Sequence, residues 1–261
     1  MAEYKTFEFP RTRLATIDIG EIGSHKHYVT ALLEMDVTSS RQKIKAYKKK
    51  NGRISFTAWL IKVISLTIKE YEHSASYLKG KRKLVVFDDI NVSLAVEKEL
   101  DGRQVPVPLL IEKSHQRSIE SITEQILEAR NKTFSDQDIV LHNRSSRNER
   151  LYYHLPGFLR RYFWRYLLKH PQVAFNKMGN VAITSIGMMG NVNGWFIPFS
   201  VHPVCFGIGR ITRKPKVVDE DIVIREVLNM TVLLDHDVMD GAPMARFMSK
   251  LTENVEKGEG L

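Results

Sequence analysis

The sequence predicts a single α/β unit, a mixed sheet with helices packed against it in the manner of an α+β sandwich. Three observations carry that expectation. Segments with apolar residues at helical spacing alternate with short β-branched runs. No linker divides the 261 residues, which are taken as one domain, 1–261. A chain of that length buries one sizeable core.

Thr57 to Tyr71 carries Leu60, Ile61, Ile64, Ile68 and Tyr71 at helical spacing, with Ser55 or Thr57 placed to cap its start. Leu84–Phe87, Asn91–Val96 and Val105–Ile111 read as strands, and Pro106 and Pro108 make the last an edge or irregular one. Ser118 to Arg130 is a second helix, with Ile119, Ile122 and Ile126 on one face. Strands follow at Val181–Ile186, Val204–Thr212 and Ile222–Leu234. Asp240-Gly241 reads as a turn and Ala242 to Leu251 as a helix.

Composition excludes several classes of function. The longest apolar stretch, Trp59 to Ile68, is interrupted by Lys62 and is too short to span a bilayer. The first residues carry no apolar signal core and no myristoylation pattern, so a cytoplasmic location is expected. Cys205 is the only cysteine; it lies in the apolar run Val204 to Ile208 and reads as buried and structural. The histidines show no metal-ligand spacing, so no metal is expected. The net charge of +9 gathers at Lys43–Lys50 and Lys79–Lys83 without a nucleic-acid-binding signature, which favours a solvated face over a nucleic-acid partner.

The most informative motif is His236-x-x-x-Asp240-Gly241, just after the strand-like run Met230 to Leu234. A histidine where a strand gives way to a loop can be aimed into a cleft by a rigid scaffold. Imidazole titrates near neutral pH and can take the proton of a thiol or hydroxyl as that group attacks a carbonyl, which points to acyl transfer. A His and an Asp four apart also occur by chance in many chains, so the flanking sequence carries weight.

Leu233 to Ala242, followed by Ala245-Arg246-Phe247, resembles the active-site segment of the dihydrolipoyl acyltransferase cores of 2-oxo acid dehydrogenase complexes, whose fold chloramphenicol acetyltransferase shares. Glu34 to Thr38, Ser55 to Tyr71, Val92–Val96, Val105 to Pro108, Ser118 to Arg130, Ile183 to Gly187, Ile197-Pro198 and Gly207 to Arg210 follow the family's order. The resemblance implies a chloramphenicol acetyltransferase-like mixed sheet with packed helices.

It further implies that His236 is the general base and that Thr184 donates a hydrogen bond to the tetrahedral oxyanion, with Ser185 as the neighbouring candidate. Asp240 is implied to be structural, paired with Arg13 or, as second choice, Arg11, and Gly241 to permit a tight turn. Coenzyme A, as CoA or acyl-CoA, is implied as a substrate, its phosphates attracted by the positive charge. A homotrimer is implied, with active sites between subunits.

Residues 136–178 are the main departure from the family, an atypical insertion that mixes Arg144, Arg147, Arg150, Arg160, Arg161, Arg165 and Lys169 with aromatic residues. Leu155, Phe158, Leu159, Tyr162 and Tyr166 share one helical face, which predicts a helix packed on the body through that face. The mixture also suits peripheral membrane contact through 152–168, or a lid or acyl-chain pocket.

The chain opens directly on the catalytic pattern, so no covalently attached lipoyl group is expected. Glu253 to Leu261 reads as a polar, flexible tail unsuited to docking trimers into shells. The leading functional expectation is a stand-alone CoA-dependent acyltransferase, acting on a small-molecule or carrier-bound thiol, amine or hydroxyl acceptor. Alternatives are a dihydrolipoyl acyltransferase core served by a separate lipoyl protein, and a non-catalytic scaffold or membrane-associated binding module. Antibiotic acetylation is not expected, because Val105 to Pro108 and Gly207 to Arg210 resemble the dehydrogenase cores more closely.

Overall fold

The computed structural model describes residues 2–7, 9, 13–100, 103–131, 152, 154–186 and 193–261, without the side chains of 51, 98–100 and 103–105. A six-stranded mixed sheet organises the chain. Its strands are β1 (Tyr28–Asp36), β4 (Val92–Leu100), β5 (Arg103–Ile111), β6 (Val181–Ser185), β7 (Val204–Val218) and β8 (Asp221–Asp235), in the spatial order β1-β8-β7-β6-β4-β5. The β4–β6 and β6–β7 pairs are parallel and the others antiparallel. β2 (Tyr77–Lys79) and β3 (Lys83–Val85) form a separate small hairpin. β5 lies at the sheet edge, where Pro106 and Pro108 cost few ladder bonds, as the prolines predict.

One face of the sheet carries α2 (Thr38–Asn51), α3 (Phe56–Glu70), α4 (Ile119–Asn131) and α7 (Gly241–Lys257). Strand alternation assigns the faces. Leu228, Met230, Val232 and Leu234 of β8 and Val181 and Ile183 of β6 enter the core beneath the helices. Asn229, Thr231, Leu233, Asp235, Ala182 and Thr184 therefore belong to the opposite, outer face. Helix α3 begins where the Ser55 hydroxyl accepts from the Ala58 N–H at 3.0 Å, and it buries Trp59, Leu60, Ile61, Val63, Ile64 and Ile68.

Residues 193–200 lie against the outer face, and Gly207 and Gly209 make that approach feasible. A Cβ at Gly207 would meet Phe196 O at 3.1 Å, and one at Gly209 would meet Asn229 O at 2.8 Å and Gly194 O at 3.1 Å. The Trp195 indole N–H then donates to Leu33 O of β1 at 2.9 Å.

Two expectations are corrected. The C-terminal segment is not a loose tail: α7 runs to Lys257 because Met244, Phe247, Leu251 and Val255 continue one buried stripe. Asn254 donates to Thr67 Oγ1 at 3.0 Å, Gly258 caps the helix in the left-handed region (φ 71°), and the Trp59 indole donates to Glu259 O at 2.9 Å. Leu261 packs against the core.

The second correction concerns the helix foreseen in 136–178. It exists as α5 (Gly157–Lys169), followed by α6 (Pro171–Met178), but its rotation is the reverse of that expected. Phe158 and Tyr162 are 63% and 68% exposed, and Leu159 and Tyr166 are exposed as well, while Arg160, Trp164 and Leu167 point inward. The cause is Asp18 on α1 (Leu14–Gly23), almost fully buried, which accepts from Arg160 Nε at 2.7 Å and from the Tyr152 hydroxyl at 2.5 Å. The Trp164 indole completes the network by donating to Tyr152 Oη at 2.8 Å. A buried carboxylate needs a charged partner, and that need turns the Arg160 side of the helix toward the body. Residues 136–151 lie outside the described residues.

Candidate active site

His236 is the first residue past β8, and its exposed imidazole makes no hydrogen bond among the described residues. The backbone around it is clamped. The His236 N–H donates to His27 O at 2.8 Å, and the Val238 N–H to Asp235 O at 3.1 Å. Lys26 forms an ion pair with the buried Asp235, and His27 Nδ1 lies 3.0 Å from Asp237 Oδ1. That contact with the Asp237 carboxylate raises the His27 pKa. Val238 and Met239 anchor the other end of the loop in the core. The residues on both sides of His236 are thus held by the entry to β1 or by the core, which fixes the backbone at the imidazole without enclosing the ring.

Asp240 stands at the N-cap of α7, exposed, with no side-chain bond to the helix. Within the chain it makes no ion pair with Arg13, whose guanidinium lies over the Phe9 ring at 5.3 Å; Arg11 lies outside the described residues. Gly241 follows Asp240 directly. It is the first helical residue, has no positive φ, and an added Cβ would meet nothing within 4 Å, so within the chain no turn there requires glycine. A cleft of about 510 Å³ opens between Lys69–His73 and Val238–Pro243; Asp240 lines it, but His236 and Thr184 do not.

Thr184 and Ser185 face opposite ways. Ser185 shares the side of Ile183, toward the helices, whereas Thr184 lies in an outer-face row with Gly207, Thr231 and Leu32. His236 follows Thr231 by five residues and lies two strands away from Thr184. At roughly 3.3 Å per residue and 4.8 Å per strand spacing, the two residues are on the order of 20 Å apart. One chain does not bring them together.

Beside the end of β8, where Tyr28 pairs with Asp235, lies a polar cluster that gave no signal in the sequence. The Tyr28 hydroxyl donates to His202 O at 2.6 Å, His202 Nε2 donates to Met178 O at 3.0 Å, and His202 Nδ1 accepts from Ser200 Oγ at 3.2 Å. Both nitrogens are satisfied in the neutral form, and burial pushes the His202 pKa down to about 4. Cys205 is buried nearby with its thiol raised to about 12, consistent with a structural cysteine.

His202 predicts an acid limb in stability. Above pH ~6.5 it is neutral folded or unfolded and contributes nothing; below that the unfolded chain binds a proton that the folded chain refuses, costing about 3 kcal/mol by pH ~4. Urea midpoints measured across that window should fall less steeply for His202→Gln than for the wild type. Parallel slopes would remove His202 as the cause.

The comparisons with known proteins decide the family. Residues 24–140 and 172–261 match the family described as 2-oxoacid dehydrogenases acyltransferase (catalytic domain). The chain belongs to that acyltransferase family.

Among the relatives of this acyltransferase domain is the dihydrolipoyllysine-residue acetyltransferase component of the pyruvate dehydrogenase complex of Mycoplasma genitalium, 24% identical over 98% of the chain and 59% of the relative. The chain spans about half the length of the first curated relatives it matches (59%, 52% and 46%). A probable dihydrolipoamide acetyltransferase from Listeria monocytogenes has the same fold, with a TM-score of 0.69 at 20% identity, over 98% of this chain and 95% of that one. So does the cubic core of a pyruvate dehydrogenase multienzyme complex, with a TM-score of 0.68 at 18% identity over 97% and 92%. Chloramphenicol acetyltransferase is more distant, with a TM-score of 0.50 at 11% identity over 95% and 96%. The family match leaves out 141–171, the stretch that contains α5.

Proposed function

We propose that this acyltransferase domain moves an acyl group between a coenzyme A thioester and a thiol acceptor, with His236 as general base and Thr184 supplied by a neighbouring copy in a trimer. The observation that carries the proposal is the clamped loop that holds His236 in the open, on a chain whose own Thr184 is out of reach. The imidazole takes the proton of the acceptor thiol as its sulfur attacks the thioester carbonyl carbon. The carbonyl oxygen becomes an oxyanion, and the Thr184 hydroxyl donates to it. Collapse of the tetrahedral species expels the CoA thiolate, which takes the proton back from the imidazolium. Thioester is exchanged for thioester, so the reaction runs in either direction.

Relatives named for the dihydrolipoyllysine residue favour a dihydrolipoyl thiol as acceptor. The test is CoA release from a panel of acyl-CoA thioesters, with and without dihydrolipoamide. Release that depends on the acceptor and falls about a hundredfold or more in His236→Ala is expected. Equal release by wild type and variant would sink the proposal.

A further inference from the structure

We propose that the outward face of α5 is a docking surface for an anionic lipid bilayer, on which the chain sits peripherally. Phe158, Tyr162 and Tyr166 recur every fourth residue and form a row in solvent, flanked by Leu159 and Phe163, also exposed. A helix on a protein surface ordinarily turns its aromatic side inward and its cations outward. Here Asp18 holds Arg160 inside and Glu21 pairs with Arg161 at 3.5 Å, so the aromatic row is fixed facing out on a rigid support.

The charges choose the occupant. Arg165 and Lys169 stand exposed beside the row, and no Asp or Glu occurs anywhere from Arg150 to Val218. A second copy seated on this face would bring its own Arg165 and Lys169 against the first pair and repel it. A surface of anionic headgroups complements the cations and accepts tyrosine and phenylalanine rings at the depth they favour. No helix among the described residues is long and apolar enough to cross a membrane, so α5 lies along the bilayer plane.

The inference does not depend on the acyl-transfer reading. Its test is co-sedimentation of the full chain with vesicles of phosphatidylcholine alone and of phosphatidylcholine mixed equally with phosphatidylglycerol. Binding is expected on the mixed vesicles only, weakening as salt rises. The triple substitution Phe158→Ser, Tyr162→Ser, Tyr166→Ser should lower it about tenfold or more, and Arg165→Gln with Lys169→Gln should lower it several-fold. Both variants change exposed side chains and should keep the wild-type circular dichroism. In an independent readout, Phe158→Trp should add emission that shifts to shorter wavelength on the mixed vesicles. Failure to sediment, or equal sedimentation by wild type and triple variant, overturns the proposal. So does loss of an oligomer in the triple variant with vesicle binding unchanged, which would assign the face to a second copy.

Discussion

Mixing His236→Ala chains with Thr184→Ala chains is expected to restore acyl transfer that neither variant performs alone. Thr184→Ala by itself should lower turnover by about 10²- to 10³-fold, the scale for loss of one oxyanion donor, and His236→Ala by about a hundredfold or more. If each site takes its base from one copy and its hydroxyl from the next, random trimers from an equal mixture leave about a quarter of the interfaces with both groups intact. The recovered rate should then exceed either parent tenfold or more. The separation of the two residues motivates the experiment, since Thr184 lies two strands from β8 and five positions back from His236. Mixed oligomers that assemble and stay as slow as their parents would show that the two side chains do not share a site across an interface.

What the sequence discloses and what it withholds divide along physical lines. Local patterns were legible: α3 starts at its Ser55 cap, β5 lies at the edge its prolines demand, and His236 sits where the apolar run of β8 ends. The rotation of α5 was not, because hydrophobic periodicity assumes that the aromatic face is the buried one. The overriding signal was far away in sequence, a lone aspartate at position 18 among apolar neighbours, facing a long stretch without acids. The order of the C-terminal segment escaped for a related reason. Its polar composition hid a single buried stripe ending in Val255 and a glycine cap, and the Trp59 indole that fixes Glu259 comes from another helix. In the site, the Lys26 and His27 clamps were illegible because they join residues over two hundred positions apart. The buried polar residues of β8, Asn229 and Thr231, did leave a trace, since they alternate with apolar ones on the outer-face register.

Asp18→Ala is expected to cost about 3–5 kcal/mol, the scale for breaking one partner out of a buried ion pair. The substitution leaves Arg160, whose side chain is only 12% exposed, without its carboxylate, and removes the acceptor of the Tyr152 hydroxyl. Asp18→Asn keeps the shape and one acceptor oxygen but not the charge, and should fall between wild type and alanine. The loss should begin locally. Helices α1 and α5 pack on each other, α1 lies outside both buried core clusters, and α5 joins only the smaller one, through Leu167 and Trp164, so their amides can open without dissolving the sheet. Hydrogen exchange should therefore accelerate first in Leu14–Gly23 and Gly157–Lys169, while β7 and β8 stay protected. Uniform acceleration across the chain would mean that α1 and α5 unfold with the core as one cooperative unit. Unchanged exchange in both variants would mean that aromatic packing around Trp164, and not the Asp18–Arg160 pair, sets the rotation of α5.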